Sequence, residues 1–307
     1  MFNRWLNDIS QPWYANLSYL AQLKKQLQQQ LQYQLDQINN ADNLAEPVIA
    51  LALNQAVQQL QAMPTSNLAN GNLLQNYQKM PIKFVSQQAL PANTAYETFI
   101  AETGQVPTRN NLHDWLGGLI WLSFPKTKAV FNQLHQQDIL ENGVTAKRTA
   151  IRNVLTLFDE NGGVVVSSDR RVLTALQQFD WQTALWQYRQ SWLGTSDIRQ
   201  QTTFFPIGHA LLEKLIEPRL PICSHTLLIE VTDEFFGQTL PCQRQQLDDF
   251  LTDYFFHKTS QLTSKSFQPL PVLGIPNFCP NQSADFYQNT QVFRERQQRE
   301  PVTIWQF

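Results

Sequence analysis

The chain has 307 residues, of which 42% are hydrophobic and 16% charged, against a usual charged fraction of ~25%, and its formal net charge is −2. There is enough apolar material for a real core, and enough length for one large domain or two of ordinary size. The near-neutral balance excludes a global field that would draw in nucleic acid or an anionic membrane.

Gln and Asn stand where the missing charge would be, as in Gln28-Gln29-Gln30. Cys223, Cys242 and Cys279 are odd in number and widely spaced, so no zinc knuckle or CxxC redox pair is written here. The opening MFNRWLNDIS lacks an apolar signal region, and no run reaches the ~20 apolar residues of a spanning helix. Together these features predict a reduced, cytoplasmic protein with no membrane partner.

From Trp13 to Asn39, Leu17, Leu20, Leu23, Leu27, Leu31 and Leu35 form one apolar stripe at three- and four-residue steps. This predicts a helix that packs on the body of the protein or serves as a homo-oligomer helix. The stripe spans barely three heptads and lacks flanking charge pairs. Pro47 starts a second helix, with Val48, Leu51, Val57 and Leu60 toward the core. Residues 64–80, around Asn70-Gly71, read as a loop, and Ile82 to Val85 as a short strand. Thr94 and Glu97 have the spacing of a capping box that opens a helix ending at Gly104.

Val106 to Leu134 then reads as a helical run in which Asn111 is the N-cap, His113 sits at N2 and Asp114 at N3. Leu112, Trp115, Leu116, Leu119 and Ile120 form its buried stripe. Gly117-Gly118 costs roughly 1 kcal/mol per glycine relative to Ala, so close packing or ligand space is expected there. Glu141-Asn142-Gly143 closes a helix, and Thr145 caps the next, which runs to about Phe158. Asp159-Glu160-Asn161-Gly162 reads as a turn, with a positive φ at Asn161 or Gly162. It feeds a Val164–Val166 strand.

Ser168 is read as the cap of a helix through Phe179, followed by a helical segment from Trp181 to Trp192. Pro206 suits the first turn of a helix ending near Pro218. A second strand is expected from Thr226 to Val231, and a helix from Pro241 to His257. The PLPVLGIPNFCPNQ tail holds too many Pro and Gly for a helix or central strand. Its Leu270, Val272, Leu273, Ile275 and Phe278 are too apolar for a free linker, so it should drape over the protein with those side chains buried. The expected fold is α+β, predominantly α-helical with a few short strands. It is a single compact domain (92–307) with a Gln-rich N-terminal helical extension (1–91).

No P-loop, GxGxxG, GxSxG or HExxH pattern occurs. Pro241-Cys242 lacks the second Cys of a zinc deaminase, because Gln245 stands there. His113-Asp114 resembles the metal pair of HD-type phosphohydrolases, but that pattern needs an earlier His and His113 is the first in the chain. What remains is a set of candidates from separate segments. His113, Asp114, Asp159, Glu160 and His209 are candidate catalytic groups, since His and carboxylates supply general acid–base chemistry. His113, His209, Glu213 and His225 are candidate ligands for a divalent metal, with His209 and Glu213 four apart on one helical face. Arg109 and Arg152 are candidate anion-binding residues. Arg148, Arg152, Arg170 and Arg171 flank the acidic turn, where solvated salt bridges are the plainer role.

The blocks VPTRNNLHDW with WLSFPKTK, then LFDENG, GHALLEKL and PLPVLGIPNF, resemble a bacterial domain-of-unknown-function family, number 3025. The resemblance covers roughly Tyr96 to Phe293 and leaves the Gln-rich N-terminal region unmatched. It implies a soluble bacterial protein in which His113, Asp114, Asp159, Glu160, His209 and Glu213 belong to motif blocks. It assigns no activity, and it departs at Gly117, where the family pattern favours Asn. Two functions stay open. One is a hydrolase-type or metal-assisted enzyme that gathers these residues in one cleft. The other is a non-catalytic binding or scaffolding protein in which they are caps and turns.

Overall fold

The structure, a computed structural model, describes residues 47–62, 74–144, 147–197, 199–216, 218–295 and 300–307. In chain order it forms α1 (Val48–Ala62), β1 (Lys83–Ser86), α2 (Tyr96–Thr103), β2 (Gln105–Thr108), α3 (Leu112–Ser123), α4 (Pro125–Asn142) and α5 (Ala150–Asn161). There follow β3 (Gly162–Ser167), α6 (Arg170–Gln177), a π-helical turn (Gln182–Gln187), α7 (Arg189–Leu193), β4 (Thr202–Pro206) and α8 (His209–Lys214). The chain finishes with β5 (Cys223–Glu230), α9 (Asp233–Gly237), α10 (Leu240–Lys258), β6 (Gln268–Pro271) and β7 (Ile304–Gln306). The fold is α+β and predominantly helical, as expected. The Leu-striped stretch 13–39 and the Thr145 cap lie outside the described residues. Contacts divide the described chain into a first unit, 47–155 with Arg244–Gln261, and a second, Thr156–Gln243 with Leu262–Phe307.

In the first unit, β1 and β2 pair in parallel through the α2 crossover, with Phe84 opposite Val106. Helix α1 is tied to β1 by Asn54, whose amide donates to Phe84 O (2.7 Å) and whose carbonyl accepts from Phe84 N (2.9 Å). Its buried face carries Ile49, Ala52, Leu53 and Ala56, while Leu51 is 44% exposed. The expected inward Leu51 is therefore corrected: Ile49 and Leu53, four apart, set the helix phase, and Leu51 falls on the opposite side. The β2 strand was not expected, and it shortens the helical run predicted from Val106. That run is also split at Phe124, which precedes Pro125 and sits at φ −134°, ψ 60°, because the proline ring excludes α geometry from the residue before it.

At the start of α2 the predicted capping box is absent. Ala95 is the N-cap and no side chain caps it; Glu97 instead receives the Asn132 amide on its carboxylate (2.7 Å). The C-terminal expectation holds, with Gly104 left-handed at φ 68°. In α3 the whole predicted stripe is buried. A Cβ on Gly118 would lie 2.3 Å from Leu53 Cδ1 of α1, so close packing explains that glycine. Gly118→Ala is accordingly expected to lower stability by about 1–3 kcal/mol through over-packing, despite ~1 kcal/mol of helix propensity in favour of Ala. Urea unfolding reads this directly, and an unchanged or higher midpoint would contradict the contact.

The second unit is built on a mixed sheet of order β4-β3-β5-β6, with β7 also pairing β5. β3 runs antiparallel to β4 and parallel to β5. β6 and β7 share the far edge of β5, β6 along its first half and β7 along its second. All six β3 residues are buried, as are all five of β4. β4 was not expected: Pro206 ends this edge strand instead of starting a helix, a place where its missing N–H breaks no ladder. The helix after it is short and begins at His209. The predicted Ser168 cap falls to Asp169, whose carboxylate accepts from Arg171 N (3.0 Å).

The tail behaves as expected. Leu270, Val272, Leu273, Ile275 and Phe278 are all buried. Gln282 pins it by donating to Leu273 O (2.7 Å) and Ile275 O (2.8 Å). Among the described residues no helix is long and apolar enough to cross a membrane.

Candidate active site

Helix α5 continues past Phe158 to Asn161, so the acidic motif is its last turn rather than a loop. Neither Asn161 nor Gly162 has a positive φ. Gly162 is needed for space: a Cβ there would lie 2.3 Å from Phe158 O, so only glycine lets the helix enter β3 directly. This places the Asp159 and Glu160 carboxylates at a helix C-terminus, where the partial charge of the exposed carbonyls is already negative. Acidic side chains there are electrostatically disfavoured and call for a cationic or donor partner.

The partner is supplied by the GHALLEKL block. Ile207 N and Gly208 N both donate to Gly162 O, at 3.1 and 2.8 Å. Gly208 sits so close to α5 that a Cβ would lie 2.4 Å from Glu160 O and 2.6 Å from Asn161 N. The next residue, His209, then has Nδ1 3.9 Å from Asp159 Oδ2, with the two side chains 12% and 22% exposed. One turn on, Lys214 Nζ donates to Asn161 Oδ1 (2.6 Å). The parallel register sets His225 opposite Gly162, and Ser224 Oγ donates to Asn161 O (3.3 Å). Glu213 follows His209 by four residues on α8, the spacing of one helical face.

Asp159, Glu160, His209, Glu213 and His225 thus come from three separated segments to one end of the β3–β5 pair. Sequence reasoning missed Asn161, Lys214 and Ser224, which tie these segments together. Lys214 had a readable signal, since it shares the α8 motif with His209. Arg170 and Arg171 do not serve this cluster. They follow the opposite end of β3, where Arg170 pairs with Glu230 (2.5 Å) and Arg171 makes a two-pronged bond to Asp169 (2.9 Å each). The Gln306 hydrogen bond, then Arg170, holds the Glu230 carboxyl below its usual range, and Arg171 does the same for Asp169.

The remaining candidates belong to the first unit. Asn111 caps α3 as expected, accepting from Asp114 N (2.8 Å). Asp114 reaches back past the N-cap to Arg109, taking its backbone N–H (2.6 Å), Nε (3.1 Å) and Nη2 (2.8 Å). Asp114 and Arg109 are thus committed to one another at the helix start. His113 is half-buried at N2, and Arg152 lies in the first turn of α5, its N–H bonded to Thr149 Oγ1 (3.2 Å). Among the described residues, no three His, Cys, Asp or Glu side chains form a group that could hold a metal. The metal candidates His113, His209, Glu213 and His225 belong to no such group.

A mixed sheet flanked by helices, with a His–carboxylate pair at one end of its central strands, defines an α+β protein with a polar cluster at the end of its sheet. The family described as "Protein of unknown function (DUF3025)" matches residues 82–297, and the chain belongs to it. The match takes in every candidate residue and leaves out residues 1–81, most of the Gln-rich N-terminal region. No curated protein and no solved structure matches the chain.

Proposed function

We propose that the protein is a hydrolase-type enzyme that uses acid–base catalysis, with His209 as general base and Asp159 as the residue that positions it. The observation that carries this reading is the Asp159 carboxylate 3.9 Å from His209 Nδ1, held at a helix end that disfavours negative charge. With Nδ1 facing Asp159, the imidazole presents Nε2 to a water molecule. Nε2 takes the water proton as the water oxygen attacks an acyl carbon, then returns it to the leaving group. Asp159 orients the ring and stabilises the imidazolium that forms. The pair suffices for this chemistry, whereas a metal-assisted route calls for about three protein ligands. Asp159, Glu160 and Glu213 lie on the motif blocks around His209, so the favoured substrates are neutral or cationic rather than phosphorylated.

The test is turnover of 4-nitrophenyl esters and anilides of neutral, cationic and anionic acids. The native protein is expected to hydrolyse the neutral and cationic members preferentially. His209→Gln should lower kcat by about 100- to 10,000-fold. Turnover that His209→Gln leaves unchanged, or no turnover across the whole series, would contradict the assignment.

A further inference from the structure

The second unit carries a buried polar pair that the His209 cluster does not use. The register sets Gly163 of β3, Thr226 of β5 and Gln268 of β6 in one row across three strands, so the Thr226 and Gln268 side chains share a face of the sheet. Both residues are 0% exposed, and Val165, Phe204, Leu228 and Leu270 on the same face are buried with them. In this apolar setting neither Thr226 Oγ1 nor Gln268 Oε1 has a hydrogen-bond partner within the protein. Folded proteins seldom leave two such groups unsatisfied side by side, because each gave up its bonds to solvent on burial.

The Gln268 amide cannot relieve this by turning over. Its Nε2 donates to Leu176 O near the end of α6 (2.7 Å), and a flip would set oxygen against oxygen. Paired side chains on antiparallel strands start from Cβ atoms about 4.5–5.5 Å apart, a span that one intervening water bridges. Gln268 Oε1 only accepts and the Thr226 hydroxyl donates or accepts, so a water molecule, which does both, satisfies the two at once. A larger ligand has no space in this row: even a Cβ on Gly163 would lie 2.4 Å from Phe204 Cε2 and 2.8 Å from Ser224 Oγ. The strand itself calls for an extra link. β6 reads Gln-Pro-Leu-Pro, and neither proline can donate to the ladder with β5.

We propose that Thr226 and Gln268 form an internal water site, in which one molecule donates to Gln268 Oε1, accepts from the Thr226 hydroxyl and fastens the proline-interrupted β6 to β5. The test is a high-resolution crystal structure of the full chain, native and Gln268→Met. The native protein should show one ordered water within about 3.2 Å of both atoms, and Gln268→Met should lack it. Thr226→Val, which removes the hydroxyl at nearly constant shape, is the second variant. Each substitution should lower the urea midpoint, and the double variant should lose less than the two losses combined, because the water leaves once either partner is gone. A direct Thr226–Gln268 hydrogen bond in the native crystal, or no water between the two, would overturn the proposal even if a variant failed to fold. So would a water that stays in place in Gln268→Met, or losses of midpoint that simply add.

Discussion

Asp248→Ala is expected to destabilise the protein by about 3 kcal/mol at neutral pH. Helix α4 begins without a capping side chain, because Phe124 is its N-cap. Pro125 has no N–H to satisfy, which leaves the N–H groups of Lys126 and Thr127 without partners in their own helix. Asp248 of α10 takes both: Oδ2 accepts from Lys126 N (3.0 Å), and Oδ1 from Thr127 N (2.8 Å) and Thr127 Oγ1 (2.7 Å). Lys126 Nζ pairs with the neighbouring Asp249. A cap usually contributes ~1 kcal/mol, but this one is 1% exposed. Its loss would leave two backbone donors unsatisfied in a dry place, each costing about 1–3 kcal/mol. Relief from burying a carboxylate offsets part of this. The readout is a lower urea midpoint at unchanged slope, and a loss under about 1 kcal/mol would contradict the capping role.

The same residue makes a signed pH prediction. Burial pushes the Asp248 carboxyl up to about 6, against the opposing bonds from Thr127 and Lys126. Its unfolded value is about 3.9, so the folded state binds the proton more tightly. The resulting contribution to stability is fully present below pH ~4 and is lost as pH rises through about 6. The stability of the native protein relative to Asp248→Asn should therefore improve as pH falls from 7 to 4. A difference that stays flat across that window would show that the carboxyl titrates normally.

Gly208→Ala should be as damaging, for a steric reason. Gly208 has φ −71°, ordinary for any residue, so conformational freedom does not explain the glycine. The obstacle is backbone: the new Cβ would fall 2.4 Å from Glu160 O and 2.5 Å from Glu160 C. Backbone atoms at the end of a packed helix cannot rotate aside as a side chain can, so α5 and α8 must separate. That strains both bonds to Gly162 O and carries His209 away from Asp159. The expected cost is about 3 kcal/mol, the upper end for over-packing, together with loss of any activity that depends on the pair. A Gly208→Ala protein with native stability and turnover would contradict this account of the site.

The sequence showed those features whose cause is local. Asn111 capped its helix, Gly104 and Gly143 ended theirs, and the apolar Pro-rich tail folded down, because each follows from the chemistry of a few adjacent residues. The missed features depend on distant partners. β4 reads as helix punctuation because Pro206 and Gly208 mean different things beside a sheet edge than at a helix start. The acidic block reads as a turn because DENG has turn composition, yet two glycines allow helix and strand to abut. Asp248 looks like one of several polar residues on a long helix, and only the first turn of α4, more than a hundred residues earlier, gives it a role. The candidate site was legible as separate residue types, and its assembly in the second unit around Asn161 and Gly208 was not.

The most direct test of the central claim is a double-mutant cycle on hydrolysis of a neutral 4-nitrophenyl ester. If Asp159 acts through His209, Asp159→Asn should lower kcat with little change in KM, and the Asp159→Asn/His209→Gln protein should be no slower than His209→Gln alone. Independent, additive losses would contradict the account, as would an Asp159→Asn enzyme indistinguishable from the native one.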